Sequence, residues 1–205
     1  MSNLTNEFKV KIEAKISQIE KKSELEIVPV IVERSSDYYA WRFNLSVMAG
    51  VICLYGLYLS SPTSIHASHW FLSIAASIAT WLLLHWKRLL IMLTPRRVFL
   101  EAVQDEAAQW FLQEEVFNTR NRTGLLIFIS EMESAAFILA DKGLLRVIPD
   151  SRWALLGQQL ATDFSQMSAG ESFIRTLDEI EGELSSHFPA STNNQNEISD
   201  KVRGS

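Results

Sequence analysis

Three aspartates follow apolar stretches or precede a helix, and their carboxylates are the side chains best placed for chemistry. Asp37 and Asp141 each come soon after an apolar segment, and Asp150 directly follows Pro149. Ligands of α/β sheets gather at the carboxyl ends of strands. Hard cations such as Ca²⁺ and Mg²⁺ favour clusters of carboxylate oxygens. The pattern therefore predicts a divalent-cation site if the three aspartates converge, and a carboxylate there could also act on a phosphate.

Each of these residues also has a purely structural interpretation. Asp141-Lys142-Gly143 is typical of a turn in which the glycine accepts a positive φ. Asp150 before a helix is typical of an N-cap. Arg122 is interpreted as a charge flanking a strand, with an arginine beside a phosphate pocket as the alternative. One carboxylate alone makes no site, so both interpretations stay open at this point.

The histidines and the cysteine are weaker candidates for a functional site. His66 and His69 form an H-x-x-H pair, but zinc needs two further ligands and the surrounding loop contains no Cys, Asp or Glu, which favours a polar loop. His85 stands near the end of an apolar stretch and is expected to reach the membrane interface. Cys53 lies among uncharged residues and is expected to fill apolar space. The chain has no G-x-S-x-G elbow, Walker loop or Gly-rich dinucleotide fingerprint.

The charged residues are confined to the two flanks of the chain. The 205 residues carry a formal net charge of −5, which argues against nucleic acid as the main partner. No Asp, Glu, Lys or Arg occurs from Asn44 to Trp86. A polar, proline-containing break at 60–64 divides this block into two apolar stretches, each near the roughly 17–25 residues that span a bilayer. The sequence predicts a two-helix transmembrane hairpin at 44–93, in which residues 89–93 continue the second span.

Two alternatives to a membrane hairpin fit the sequence less well. A signal peptide would start nearer the N-terminus, and the flanks are too small to enclose two uncharged core helices. Aromatic rings, which prefer the headgroup level, stand at the ends of the spans: Tyr38, Tyr39, Trp41, Trp70 and Trp86. Basic residues stand near the ends of the two spans that are away from the connecting loop, and the loop has none: Arg34, Arg42, Lys87, Arg88, Arg96 and Arg97. The positive-inside rule therefore predicts that both termini face the cytoplasm.

The flanks alternate between helical and extended patterns. Apolar residues at helical spacing predict four helices: 4–20, 94–117, about 16 residues from Asp150, and a last helix opened by a capping box of Ser168 and Glu171. Runs rich in β-branched and apolar residues predict extended segments: 25–33, 123–130, 135–140 and 144–148. Pro29 favours an edge position for the first strand. The second and third strands are expected to form a β-hairpin.

Neither flank forms a hydrophobic core alone. One helix and one strand precede the hairpin, and the strands after it would leave a sheet edge uncovered. We therefore expect residues 1–43 and 94–190 to join into a single α/β domain with the hairpin as an insertion. Residues 191–205 are polar and are expected to be disordered.

Several segments of the flanks resemble the TPM domain family, whose founding members are a thylakoid lumen protein, a photosystem II repair protein and an acetylcholine-receptor modulator. Residues 26–32 (EIVPVIV), followed by a Ser/Asp/Tyr stretch, resemble its first strand. Residues 122–130 (RTGLLIFIS) are similar to its "RTGvLifvS" strand, and 138–144 (ILADKGL) to its "ilaDkGi" segment. Trp153 and residues 187–189 (HFP) also fit, so the resemblance covers nearly all of both flanks.

The resemblance implies an α/β/α sandwich with a central sheet. Bacterial members with a two-span insertion resemble inner-membrane proteins that face the cytoplasm. Plant members are described as acid phosphatases, some members bind divalent cations, and others act as assembly partners of membrane complexes. The function expected from this likeness is a membrane-anchored protein whose cytoplasmic domain binds or modulates a membrane-protein partner, with a cation such as Ca²⁺ or Mg²⁺ as an optional ligand.

The alternative is a metal-assisted acid phosphatase that acts on phosphate monoesters through Asp141 and Asp150. A channel or transport component is disfavoured because two spans make a pore only in an oligomer, and neither span carries a charged residue to line one. The sequence leaves open whether the chain forms an oligomer.

Overall fold

The computed structural model describes residues 6–60, 66–184, 187–189 and 198–204. Within them the protein has a mixed α/β structure with eight helices and one three-stranded sheet. The helices are, in chain order, α1 (Asn6–Glu20), α2 (Tyr39–Ser60), α3 (Ala67–Leu83), α4 (Lys87–Leu93), α5 (Arg96–Gln113), α6 (Lys142–Leu145), α7 (Asp150–Gln166) and α8 (Ala169–Leu184). The chain divides into two compact units: one holds the described residues up to Ser36 and from Leu100 onward, and the other is Asp37–Phe99.

The sheet joins the two ends of the sequence. Its strands are β1 (Glu26–Val32), β2 (Gly124–Ser130) and β3 (Ala135–Ala140), in the order β1-β2-β3. β1 runs parallel to β2, and β2 runs antiparallel to β3 as the predicted hairpin. Every residue of β1 and β2 is buried. Strands that are covered on both faces need continuous apolar sequence, which explains the uninterrupted runs EIVPVIV and GLLIFIS.

Helices cover both faces of the sheet. Alternate residues of a strand point to opposite faces, so Ile27 and Ile31 lie in one core and Val28 and Val30 in the other. The helical side chains of the larger core come from α1, α6, α7 and α8, with Trp153 among the largest buried residues. The smaller core is closed by the part of α5 that carries Val103 and Ala107.

The residues predicted to cap α7 and α8 lie at or next to the expected cap positions. The Ser168 hydroxyl accepts the Glu171 N–H at 3.3 Å, and the Glu171 carboxylate accepts the Ser168 N–H at 3.2 Å, which confirms the capping box that opens α8. Asp150 is the first residue of α7 and Pro149 holds the N-cap position, so the N-cap interpretation of Asp150 is wrong by one residue. Its negative charge at a helix N-terminus still favours the helix.

Pro29 explains how β1 can stand at the edge of the ordered strands. The N–H of Glu26 points toward β2 and donates to Thr123, whereas the N–H groups of Ile27 and Ile31 point outward. Pro29 falls on the outward side, where its missing N–H removes no bond between β1 and β2. The edge position predicted from Pro29 therefore agrees with the structure.

The expectation of a disordered tail does not hold for residues 198–204. The Ile31 N–H donates to the Arg203 carbonyl, and the Arg203 N–H donates to the Pro29 carbonyl, each at 3.0 Å. The unpaired groups of an edge strand attract another length of backbone, and an ion pair between Arg203 and Glu114 holds the segment in place. A polar segment is thus fixed by main-chain bonds that its composition does not reveal.

Two further expectations differ from the structure. Residues 144–148 are not extended: α6 occupies 142–145, and the Ile148 N–H donates to the Leu144 carbonyl. Residues 89–93 do not continue α3. Leu84 and Leu90 are buried, Trp86 is extended, and α4 leaves α3 at an angle of 107°. Among the described helices, α2 is long and apolar enough to cross a membrane, and α3 with α4 reaches that standard only as a bent pair.

Candidate functional site

Asp141 is a buried carboxylate held in an ion pair with the half-exposed Arg122 at the end of β3. Its N–H donates to the Gly124 carbonyl at 2.9 Å, which places it beside the start of β2. The residue is 4% exposed. Its Oδ1 accepts from the Lys142 N–H at 2.7 Å and from Arg122 Nη2 at 3.0 Å, and Arg122 Nε lies 2.7 Å from Oδ2. Both carboxylate oxygens are therefore engaged by the guanidinium, and the same carboxylate caps α6.

The turn expected at residues 141–143 is the start of helix α6, and it needs a glycine because two chain segments approach closely. The Gly143 N–H donates to the Arg122 carbonyl at 2.8 Å. A Cβ at Gly143 would lie 2.4 Å from the carbonyl oxygens of both Asn121 and Arg122. Gly143 does not have a positive φ, whereas Arg122 has a φ of 58°. The positive φ expected at the glycine thus belongs to the arginine that it contacts.

The three aspartates of the predicted cation site belong to different segments of the chain. Asp150 is exposed at the start of α7. Asp141 lies beside the first residue of β2, and Asp37 belongs to the 37–99 unit. Within the described ranges, no three His, Cys, Asp or Glu side chains are grouped so that they could hold a metal ion. Asp141 would also have to give up its ion pair with Arg122 to bind a cation. The cation site stays a prediction.

A second buried carboxylate closes the other end of the sheet. Glu133 lies in the turn between β2 and β3, accepts the Ser130 hydroxyl, and accepts the Ser35 N–H at 3.1 Å. The turn also donates two main-chain bonds to the end of β1, from Glu131 to Val32 and from Met132 to Glu33. The carboxyl ends of the parallel strands, where ligands usually bind, are therefore filled by the protein itself. Sequence reasoning missed this network because 131–134 looked like an ordinary turn.

A third carboxyl group has a strongly altered pKa. Glu20 is buried at the end of α1, and its Oε1 accepts the Ile27 N–H at 3.0 Å. Burial, together with the nearby charges of Glu26 and Asp200, raises the pKa of Glu20 to about 9. Glu20 is thus protonated at neutral pH and can donate its proton to Asp200. Glu26 in turn accepts the Ile198 N–H at 3.1 Å. Two carboxyl groups therefore hold the C-terminal segment on β1.

The hairpin helices α2 and α3 meet through small residues. Ser46 with Gly50, and Ser73 with Ser77, each stand four positions apart, which is the small-xxx-small spacing of close helix pairs. A Cβ at Gly50 would lie 2.1 Å from the Ser77 Oγ. The hydroxyls bond to carbonyls of their own helices, as Ser73 does to His69 at 2.8 Å. The serine hydroxyls of this interface are therefore satisfied without water.

The outward faces of the same helices carry large apolar side chains. Those that are exposed include Val47, Met48, Val51, Ile52, Tyr55, Leu59, Phe71, Leu72, Ile74, Ile78 and Leu82. A water-soluble helix pair buries such residues and exposes small or polar ones. In the 37–99 unit, small residues lie between the two helices and large apolar residues are exposed. A contiguous exposed apolar surface marks a region that contacts protein or membrane.

The histidines of the unit take part in ring contacts. His66 and His69 lie edge to face with ring centres 5.7 Å apart. At the other end of α3, Tyr39 stacks on Trp81 at 6.5 Å, and Trp81 contacts His85 at 5.7 Å. The His85 Nδ1 lies 2.9 Å from the Trp81 carbonyl oxygen. The start of α2 and the end of α3 are thus joined by aromatic contacts.

Comparison with known proteins supports the fold. No protein-family model matches the chain, and no curated protein matches it. The NMR structure of the BA42 protein from the psychrophilic bacterium Bizionia argentinensis resembles it with a TM-score of 0.61 and 17% sequence identity. The alignment covers 100% of this chain and 97% of the BA42 chain. At this identity the likeness concerns the fold alone.

We expect Glu20→Gln to remove a pH dependence of stability. The folded chain keeps the Glu20 proton up to about pH 9, whereas the unfolded chain releases it near the ordinary pKa of 4.5. The stabilisation that comes from Glu20 is therefore fully present below its pKa in the unfolded chain. It is lost as the pH rises through its pKa in the folded chain. The glutamine amide can keep both hydrogen bonds at every pH. The stability of the variant relative to wild type should increase by up to about 1.4 kcal/mol per pH unit, measured by urea unfolding at about pH 5 and about pH 8.

Asp105→Asn is the matched control, because it removes an exposed carboxylate on α5. This variant should follow the wild-type pH profile. A difference between Glu20→Gln and wild type that is equal at both pH values would contradict the protonated state of Glu20.

Proposed function

We propose that this chain is a membrane-anchored, TPM-type protein whose cytoplasmic α/β domain binds or modulates a membrane-protein partner. In this proposal, residues 44–93 form a hairpin inserted into an α/β/α sandwich and placed in a bacterial inner membrane. The observation that carries the proposal is the arrangement of α2 and α3, with small residues between the helices and large apolar residues outside.

A bilayer provides what this arrangement lacks in water. Burying a Leu, Ile, Val or Phe side chain stabilises a protein by roughly 1.5–3 kcal/mol, and the exposed residues of α2 and α3 leave that stabilisation unused in water. Lipid tails cover such side chains, while hydroxyls such as those of Ser46 and Ser73 stay bonded within their helices. The same reversal is unfavourable for a water-soluble protein, because it favours aggregation.

The charge distribution supports an orientation with both termini in the cytoplasm. No acidic residue occurs between Asp37 and Glu101. Basic residues stand at the start of α2 and after α3, whereas the residues between these two helices contain none. Positive charge is retained on the cytoplasmic side of a membrane. The His66–His69 pair then lies on the outer side.

The unit that contains the sheet, which holds the described residues up to Ser36 and from Leu100 onward, is called the α/β unit. Recognition of a partner fits this unit better than catalysis does. The buried carboxylates of Asp141 and Glu133 each accept two donors and stabilise turns. Large apolar side chains are nonetheless exposed on this unit, among them Leu112, Val147 and Leu155. These residues are suited to contact a partner, and the resemblance to TPM proteins that assist membrane complexes favours the same function.

Membrane insertion can be tested by cysteine labelling. In a Cys53→Ser background, Val51→Cys and Asp105→Cys both replace exposed residues, and Val51 is 61% exposed. In detergent-free membranes a water-soluble maleimide should label Asp105→Cys and leave Val51→Cys unlabelled, because the bilayer excludes the reagent and disfavours the thiolate. After denaturation in detergent both should be labelled. Equal labelling of the two variants in intact membranes would reject the anchored hairpin.

Partner binding can be tested by photo-crosslinking in membranes. We expect a photoreactive residue at Leu112, Val147 or Leu155 to form a discrete adduct with another membrane protein, because these exposed apolar side chains are suited to a protein contact. The same residue at Asp105 is the control and should form none. Adducts that are absent at all three positions, or are the same at Asp105, would reject a partner that binds this unit at these exposed apolar residues.

The second candidate function is the metal-assisted phosphatase, and one observation favours it. The Arg122 side chain is 46% exposed beside Asp141, so it could contact a phosphate. This alternative predicts hydrolysis of p-nitrophenyl phosphate by the detergent-purified protein with Mg²⁺, Ca²⁺ or Mn²⁺, with turnover and cation binding lost in Asp141→Asn and kept in Asp105→Asn. The leading proposal predicts no turnover with any of these cations.

A further inference from the structure

The bend between α3 and α4 creates a helix suited to the surface of a membrane. α4 leaves α3 at 107°. With α3 crossing a bilayer, as the proposed function requires, α4 therefore lies nearly parallel to the membrane plane. Its seven residues, KRLLIML, combine two cations with five apolar residues. This combination is typical of segments that rest at the headgroup level.

A cavity of about 660 Å³ opens at this bend. Leu89 and Met92 give it an apolar wall, and His85, Lys87 and Arg88 contribute polar groups. Trp86 is 70% exposed and Met92 is 79% exposed. A molecule that fits this surface has an apolar part and an anionic part, and a phospholipid has both.

A buried cation at the same end of the unit independently indicates an anion. Arg42, on the first turn of α2, is 8% exposed, and its Nε has no hydrogen-bond partner among the described residues. No carboxylate lies between Asp37 and Glu101 in the sequence. The contacts from Tyr39 to Trp81 and from Trp81 to His85 join the first turn of α2 to the wall of the cavity. A buried guanidinium nitrogen without a hydrogen-bond partner is costly, and a phosphate nearby would lower that cost.

We propose that this surface, formed by His85, Trp86, Lys87, Arg88 and Met92 and called the headgroup site, binds an anionic phospholipid of the bilayer. The lipid phosphate lies against Lys87 and Arg88, with Arg42 contributing positive potential from the same end. The acyl chains cover Trp86 and Met92. The occupant is a lipid and not a free phosphate, because the wall of the cavity is mainly apolar and the exposed Trp86 ring favours a hydrocarbon neighbour.

The experiment uses the full-length protein in vesicles of phosphatidylcholine that contain trace spin-labelled phosphatidylglycerol or phosphatidylcholine. The motionally restricted fraction of each labelled lipid reports binding at the protein surface. We expect phosphatidylglycerol to be preferred, by about fivefold for each cation that contacts the headgroup, and the preference to decrease with added salt. Lys87→Gln with Arg88→Gln should remove this preference, whereas Lys87→Arg should retain it.

The matched control is Lys21→Gln with Arg146→Gln, which removes two exposed cations from the α/β unit and keeps the net charge equal to that of the test variant. It should retain the preference. Equal restriction of the two lipids by the wild-type protein, loss of the preference in this control, or complete displacement by inorganic phosphate at constant ionic strength would overturn the headgroup site.

Failure of the headgroup site is distinguishable from failure of the membrane anchor. A Val51→Cys variant shielded from maleimide, together with equal restriction of both lipids, rejects the headgroup site and leaves the anchor intact. A Val51→Cys variant that is labelled in the same vesicles rejects both. Circular dichroism of each variant establishes that a lost preference does not come from unfolding.

Discussion

The parallel pairing of β1 with β2 is the constraint on which the rest of the α/β unit depends. β1 has no partner strand in its own flank, and each of its residues from Glu26 to Val32 pairs with one from Gly124 to Ser130. This pairing creates the two faces that α1, α7 and α8 cover on one side and α5 on the other. It also leaves β1 with an outer edge, and the unusual features of the unit satisfy the groups on that edge. Pro29 has no N–H to satisfy, Ile27 bonds to Glu20, and Ile31 bonds to Arg203.

Local patterns predicted the elements that depend on neighbouring residues. β3 was predicted with its observed bounds, and the Ser168–Glu171 capping box formed as expected, because a hairpin and a cap need only a few adjacent side chains. Residues 198–204 could not be predicted, since their position depends on an edge more than 160 residues earlier in the chain. The bend at residues 84–86 was missed for a related reason: the apolar pattern continues through it, and buried contacts of Leu84 and Leu90 determine the direction of α4.

For the candidate site too, the sequence indicated which residues could do chemistry but not where the fold would place them. Arg122 and Asp141 were both recognised as residues that could do chemistry, but their ion pair depends on the register of β2 against β3. Glu133 and Glu20 lacked any signal, because an isolated glutamate in a turn or at a helix end is usually solvated. Burial by distant segments makes them structural, and it is visible only once the strands are paired. The position of a carboxylate in the sequence was therefore a poorer guide to its role than its surroundings in the folded chain.

The separation of β1 from β2 also sets the order of events during synthesis. Roughly 90 residues lie between the end of β1 and the start of β2, and ribosomes add about 5–20 residues per second. β1 therefore emerges several seconds before its partner strand exists, and the whole hairpin segment is translated in that interval. During this time β1 has no neighbour on either side, and its Pro29 and Glu26 are residues that disfavour pairing of an apolar segment with other chains. Pro29 therefore protects the nascent strand until β2 has emerged, and it later occupies the outer edge of the folded sheet.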